Sequence, residues 1–214
     1  MEERTYSISL AKNPLIAVNI TPGHFTTNNV HTNNYLDVSE LKSNTDIARD
    51  VAREMAIPYL SSTLVDTIVC MERMEVVGAY IAQELNQDGT SVMNTGRSIH
   101  VVSPMTNAYG KLVFADSAVK WINGKNVLLV ISTVSSGRVL NITLECINYY
   151  GGILAGVSAL YRASEIKIPQ QVNCLFTAED IPGYKLYDTN TCELCKGGLK
   201  LDAIISSEGY TKLE

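Results

Sequence analysis

The chain has 214 residues, 46% hydrophobic and 18% charged, enough to bury one substantial core as a single domain or as a core with a small lobe. A formal charge of −5 and a pI near 5.3 provide no basic face from which counterions would be released, so nucleic acid is not expected as a partner. No run approaches the roughly 18 to 20 apolar residues that span a bilayer, and the opening MEERTYSISLAK lacks the cationic start and apolar centre of a secretory signal, so neither a membrane nor export is expected. Five cysteines, Cys70, Cys146, Cys174, Cys192 and Cys195, are an odd and scattered set that fits a reducing, cytoplasmic setting better than a disulfide framework.

In chain order, the first 40 residues contain TPGHFTTNNVHTNNYLD, an Asn- and Thr-rich texture suited to a cap over a sheet rather than to core strands. SNTDIARDVAREMA follows, with cap-forming Ser43 and Asn44 and with Ile47, Val51 and Met55 four apart, which predicts a helix over 45–56 that Pro58 stops. DTIVCM, 66–71, reads as a short strand, and EVVGAYIAQEL, 75–85, as a helix with Val77, Ile81 and Leu85 on one face. SIHVVS, 98–103, is a second strand and NVLLVI, 126–131, a third, entered through the turn Asn123–Lys125.

After a hydroxyl-rich turn from Ser132 to Gly137, RVLNITLECINYY predicts a helix that places Val139, Ile142, Cys146 and Tyr149 or Tyr150 on one side and ends at Gly151 and Gly152. GILAGVSALYRA is a fourth strand and QVNCLFT, 171–177, a fifth. Near-continuous apolar strands separated by helices indicate an α/β fold with a mainly parallel sheet covered on both faces. The last 35 residues, with IPGYKLYDTNTCELCKGGLKLD, return to a turn-rich texture that again suits a cap.

The turn after the third strand is the segment richest in chemistry. At the carboxyl end of a parallel strand the next helix directs its free N–H groups and positive dipole end at the turn, which stabilises an anion without a charged side chain. Thr133, Ser135 and Ser136 add hydroxyl donors, Gly137 permits close backbone approach, and Arg138 supplies a cation inside the helix. The plainer reading is that Ser135 and Ser136 only cap that helix.

NVLLVISTVSSG resembles the phosphoribosyl-pyrophosphate motif of the type I phosphoribosyltransferases, in which an apolar strand leads to two acids and then a hydroxyl-hydroxyl-Gly phosphate loop. GHFTTNNVHTNNYLDV resembles the amino-terminal hood of orotate phosphoribosyltransferases, DTIVCMERMEVVGAYIAQEL their pyrophosphate-loop strand and helix, and CELCKGGLKLD a tail found in some of them, all in the same order. The resemblance implies one phosphoribosyltransferase-like domain over 1–214, with a core at about 43–177 and a small hood from about 1–42 and 178–214. It also implies a homodimer, a nucleotide monophosphate or phosphoribosyl compound as ligand, and phosphate contacts from Thr133, Val134, Ser135, Ser136, Gly137 and Arg138, although Arg138 and Val139 depart from the small or hydroxyl residues usual there.

The other departures fall on the chemistry. Ile131 and Ser132 stand where the family has the acid pair that holds the ribose hydroxyls and Mg²⁺; Ile has no polar atom and Ser no charge to offset a divalent cation. Cys70, Met71, Glu72 and Arg73 stand where the family's pyrophosphate loop has small residues; Glu72 would repel pyrophosphate and Arg73 attract it, unless both merely pair on the surface with Glu75 and their neighbours. SPMTNAYGKLVF aligns with the mobile catalytic loop, but Ser103, Pro104, Asn107 and Tyr109 replace its cations and leave Gly110 and Lys111. The implied function is nucleotide or ribose 5-phosphate binding with transfer weak or lost; the alternative is an active transferase joining orotate or a related base to phosphoribosyl pyrophosphate. No catalytic residue is assigned, and Mg²⁺ is expected as a cofactor only for the active alternative.

Cys192 and Cys195 form a CxxC, which by spacing is half of a tetrahedral zinc site, a redox pair, or a plain turn with two reduced thiols. A complete metal site needs two more ligands, no second CxxC or HxxxH exists, and His24 and His31 would have to join from across the hood. The plain turn is the default, so no metal is assigned. His100 reads as a packed or edge residue of its strand, and His31, Tyr35 and Asp37 as members of a hydrogen-bonded polar loop.

Overall fold

The computed structural model describes residues 2–28, 30–88, 92–163, 170–207 and 209–213. The chain opens with β1 (Tyr6–Leu10), β2 (Asn13–Thr26) and β3 (Val30–Asp37), then α1 (Ser39–Ser43) and α2 (Thr45–Ala56). Next come β4 (Thr67–Cys70), α3 (Glu75–Leu85), β5 (His100–Val102), the small hairpin β6 (Met105–Thr106) and β7 (Leu112–Val113), and α4 (Asp116–Val119). β8 (Asn126–Val134), α5 (Arg138–Tyr149), β9 (Ile153–Arg162) and β10 (Asn173–Thr177) follow, and the chain closes with β11 (Leu186–Asp188), α6 (Glu193–Lys196), β12 (Ala203–Ser206) and β13 (Gly209–Lys212).

Five strands form a parallel sheet in the order β10-β9-β8-β4-β5. The α/β class with helices on both faces is as the sequence indicates, and the reason is visible along β8. Leu128 and Val130 point into a core shared with Ile68 of β4, Val51 and Met55 of α2 and Val77 and Ile81 of α3, whereas Val127, Leu129 and Ile131 join Leu140 and Ile147 of α5. A strand buried on both faces must be apolar at every position, which explains the unbroken run. From β4 the chain moves out to β5 and then returns to β8 on the other side of β4, so the order in which strands are added reverses between β4 and β8. The crevice beyond the carboxyl ends of such a pair is where open α/β sheets take ligands.

Asp66 fixes the opposite end of the same two strands. Its carboxylate accepts from the Asn126 N–H at 2.9 Å and Nδ2 at 2.8 Å and pairs with Arg97 at 3.2 Å. Burial acts to raise its carboxyl, but these donors outweigh it and hold the group below the usual carboxylate range.

The helices at 45–56 and 75–85 have the limits expected from sequence, and Asn44, not Ser43, caps the first by accepting from the Asp46 and Ile47 N–H groups at 3.2 and 3.5 Å. Two expectations are corrected. β8 runs to Val134, because Thr133 and Val134 pair with Tyr161 and Arg162 of β9; the turn therefore begins at Ser135 rather than Ser132. The buried face of α5 is Leu140, Thr143, Cys146 and Ile147, while Val139, Ile142 and Tyr149 are 38%, 39% and 82% exposed, because packing on the sheet selects that face.

The two ends of the chain stay out of the parallel sheet, as their texture suggests, and are themselves strands. They build a six-stranded mixed sheet in the order β11-β3-β2-β12-β13, with β1 on the first part of β2. Among the described residues no helix is long and apolar enough to cross a membrane.

Candidate ligand cleft

A cleft of about 590 Å³ lies between the carboxyl ends of β4 and β8 and the terminal sheet. Its core side is Glu72, Arg73, Ser132, Thr133, Ser135, Ser136 and Gly137; Tyr35, Asp37 and Lys42 face them, with Ile205, Ser206 and Ser207 closing one flank. The N-terminus of α5 opens onto it through Gly137, Val139 and Leu140. Gly137 is the residue before the helix, at φ 74°, a left-handed conformation that Gly adopts without the Cβ clash of other residues. It brings no side chain to cap the helix, and the Ser136 hydroxyl reaches the Arg138 N–H only at 3.5 Å. The plain capping role for Ser135 and Ser136 is thus scarcely used, and the positive end of a 12-residue helix faces the cleft.

The four residues at the pyrophosphate-loop position separate into pairs. Cys70 is buried in the core, where burial pushes its thiol up, and Met71 packs on the α5 side of the sheet. Glu72 and Arg73 form the turn that enters the cleft, at φ 54° and 65°, a region costing roughly 1–2 kcal/mol for a residue with a Cβ. That backbone turns Glu72 inward. β4 ends at Cys70, opposite Val130, leaving the edge of β8 open beyond it, and there the Glu72 carboxylate accepts the Thr133 N–H at 3.1 Å. Burial pushes the Glu72 carboxyl up, against the opposing pull of the Thr133 N–H, Lys42 and the Ser132 backbone. The surface pairing weighed from sequence is not the arrangement of Glu72, and Glu75 instead accepts from the Ser103 hydroxyl at 2.6 Å.

Lys42, which sequence reasoning missed, donates from Nζ to the Glu72 carbonyl at 3.2 Å and to the Ser207 carbonyl at 3.5 Å. It lies on the short helix α1, and no local pattern marks it as a cleft residue. Of the residues expected at phosphate, Thr133, Ser135, Ser136 and Gly137 line the cleft. Val134 is 2% exposed with its side chain in the core, which leaves only its backbone toward the loop, and Arg138 is exposed outside the lining. Ile131 is fully buried against α5, while Ser132 is 3% exposed at the cleft floor.

The segment 103–113 is a hairpin turning at Gly110, φ 73°, with the Asn107 side chain accepting the Tyr109 and Lys111 N–H groups at 2.9 and 3.0 Å. It contributes nothing to the cleft lining. His100 stacks on Trp121 at 4.7 Å at the exposed edge of β5, the edge role expected for it. Tyr35 and Asp37 line the cleft, and burial, with Asp37 and Tyr210 nearby, pushes the Tyr35 phenol up to about 12. His24, His31, Cys192 and Cys195 come together in the terminal sheet, outside the cleft lining.

No protein-family model and no curated protein matches the chain. Solved structures do. The UMP synthase of Leishmania donovani superposes with a TM-score of 0.55 at 19% identity, covering 75% of this chain and 34% of that one, so this chain spans about a third of its length. The adenine phosphoribosyltransferase of Thermoanaerobacter pseudethanolicus gives 0.50 at 12% identity, covering 82% and 96%. The orotate phosphoribosyltransferase of Mycobacterium tuberculosis, in complex with 5-phospho-α-D-ribosyl 1-diphosphate, gives 0.47 at 14% identity, covering 69% and 82%. At such identities the likeness is one of fold: the chain has a phosphoribosyltransferase-like α/β core, to which both terminal segments add a mixed sheet.

Proposed function

We propose that this chain is an orotate phosphoribosyltransferase-like protein that binds a nucleotide monophosphate or ribose 5-phosphate group in the cleft, with phosphoribosyl transfer weak or lost. The observation that carries the reading is the N-terminus of α5, whose residue before the helix brings no capping side chain, opening with Ser135 and Ser136 onto the cleft. A phosphate monoester needs nothing more than helix-end amides and hydroxyls. Transfer needs more. A pyrophosphate leaving group is stabilised by preorganised cations, each worth a few kcal/mol, and the hairpin at 103–113 brings none to the cleft lining. Mg²⁺ is held through oxygen ligands, carboxylates above all, and the two positions of the acid pair on β8 carry Ile131 and Ser132.

Titrations of orotidine monophosphate, uridine monophosphate and phosphoribosyl pyrophosphate, each with and without Mg²⁺, test this. Monophosphate binding is expected to be the same with and without the metal, and base-dependent release of pyrophosphate is expected to be absent. Affinity that collapses without Mg²⁺ would refute the reading.

One observation favours the second reading, an active transferase. Glu72 carries a carboxylate from the β4 loop to the open edge of β8, beside the position of the missing acids. If that group serves the metal, pyrophosphate release depends on Mg²⁺ and Glu72→Gln abolishes it. The resemblance also carries a two-fold dimer, for which light scattering of the purified chain is the direct measurement.

A further inference from the structure

We propose that His24, His31, Cys192 and Cys195 bind one Zn²⁺ ion that ties the terminal sheet together. Their four ligand atoms all lie within 4.8 Å of one another. His24 Nε2 stands 3.1 Å from His31 Nδ1, 3.5 Å from Cys192 Sγ and 3.7 Å from Cys195 Sγ, and Cys195 Sγ is 3.4 Å from His31 Nδ1. Zinc with bonds of about 2.3 Å to sulfur and 2.0–2.1 Å to nitrogen sets tetrahedral donors roughly 3.3–3.8 Å apart. These four separations fall along or just inside those edges, and the remaining two, His31 to Cys192 and Cys192 to Cys195, are within 4.8 Å.

Hydrogen bonding accounts for the cluster poorly. His24 Nδ1 is 2.8 Å from the Leu199 carbonyl, which only a ring N–H can approach so closely, so in the neutral ring Nε2 holds a lone pair. Three groups converge on that single lone pair. It makes an overcrowded hydrogen-bond acceptor and a well-formed coordination corner, and an N–H to carbonyl contact on the far nitrogen is how metal-bound imidazoles are oriented.

The backbone of His24 is clamped as well. Its N–H donates to the Asp202 carboxylate at 2.8 Å, and its carbonyl accepts the Asp202 N–H at 2.7 Å. Charge also balances: two thiols lose their protons as the ion enters, and two thiolates cancel its double charge, so the filled site is neutral where His24, His31 and Cys192 are buried. Four protein ligands leave no open position, which makes the site structural rather than catalytic. His24 comes from β2, His31 from β3, and the two thiols flank the start of α6, so one ion joins the first part of the chain to the last.

Metal analysis of the full chain purified without added chelator is expected to find about one zinc per molecule, and Co²⁺ in its place to show the intense visible absorption of a tetrahedral thiolate site. Cys195→Ser and His31→Ala are expected to abolish stoichiometric metal, while Cys174→Ser, distant from the cluster, keeps it. If the ligand variants do not fold, the metal content and cobalt spectrum of the unaltered protein still decide. A folded chain that takes up neither ion, or one whose Cys192 and Cys195 are isolated as a disulfide, would overturn the proposal. None of these readouts involves a nucleotide.

Discussion

Glu72 shows how much one side chain decides here. A carboxyl raised by burial disfavours its own charged form, so its contribution to stability declines as pH climbs from the ordinary carboxylate range, about 4.3, through its folded-state value. Glu72→Gln keeps an oxygen for the Thr133 N–H and removes the charge. The variant is expected to melt higher than the parent at pH 7, with the gap closing towards pH 4. Under the binding reading it also takes a monophosphate about fivefold more tightly, on the order of 1 kcal/mol, since one repelling charge leaves the cleft; calorimetric titration is the measurement. Asp66 has the opposite sign. Its lowered carboxyl supplies stability that is present above the ordinary value near 3.9 and lost as pH falls through the folded one. Asp66→Asn is expected to cost about 1.5–3 kcal/mol at pH 7 and to flatten the acid limb, read from urea melts at pH 7 and pH 3. Sequence placed Glu72 in the right loop but not its direction, because that depends on two successive left-handed residues, Glu72 and Arg73, that carry no glycine signal.

Among the elements, those legible in advance are the ones whose limits are set locally. Asn44 and the four-residue spacing of apolar positions delimit α2, and α3 starts and stops where its own periodicity does. Sequence ends β8 at Ile131 because its last residues, Thr133 and Val134, are held by β9, a partner some 28 residues on that nothing within the turn announces. The face of α5 was misjudged for a related reason: Val139 and Ile142 fit the period as well as Leu140 and Thr143 do, and only contact with the sheet selects between the two. Packing between elements is equally specific at Gly156 of β9, where a Cβ would stand 2.5 Å from the Tyr59 ring. Tyr59 donates its hydroxyl to the Val157 carbonyl at 2.9 Å and accepts from the Asn173 side chain at 2.9 Å, so the ring has little room to withdraw. Gly156→Ala is expected to cost about 1–3 kcal/mol by overpacking, measured by chemical denaturation, without altering ligand affinity.

For the whole molecule, the parallel sheet was legible and the second sheet was not. β2 and β3 bury His24, His31, Thr32 and Asn34, polar residues that read as loop until their partners are known. Thr32 Oγ1 donates to the Asn34 carbonyl at 3.1 Å, the Asn34 side chain donates to Asn33 at 2.9 Å, and the histidines meet the cysteines. Over the end of β2 and along β3 such side-chain pairing replaces the alternation of apolar and polar residues that betrays a sheet, whereas Tyr6, Ile8 and Leu10 of β1 and Ile16, Val18 and Ile20 of β2 do alternate.

The bond from His24 to Asp202 joins residues 178 positions apart, and β12 lies parallel to β2 on the edge next to it. During synthesis, then, the earliest strands leave the ribosome long before the segment that completes them, whereas every strand of the parallel sheet has emerged once Thr177 is clear. Closing so wide a separation is slow. The flank of the cleft formed by Ile205, Ser206 and Ser207 is therefore expected to close after the parallel sheet, so that a nascent chain holds a finished core before its cleft is walled.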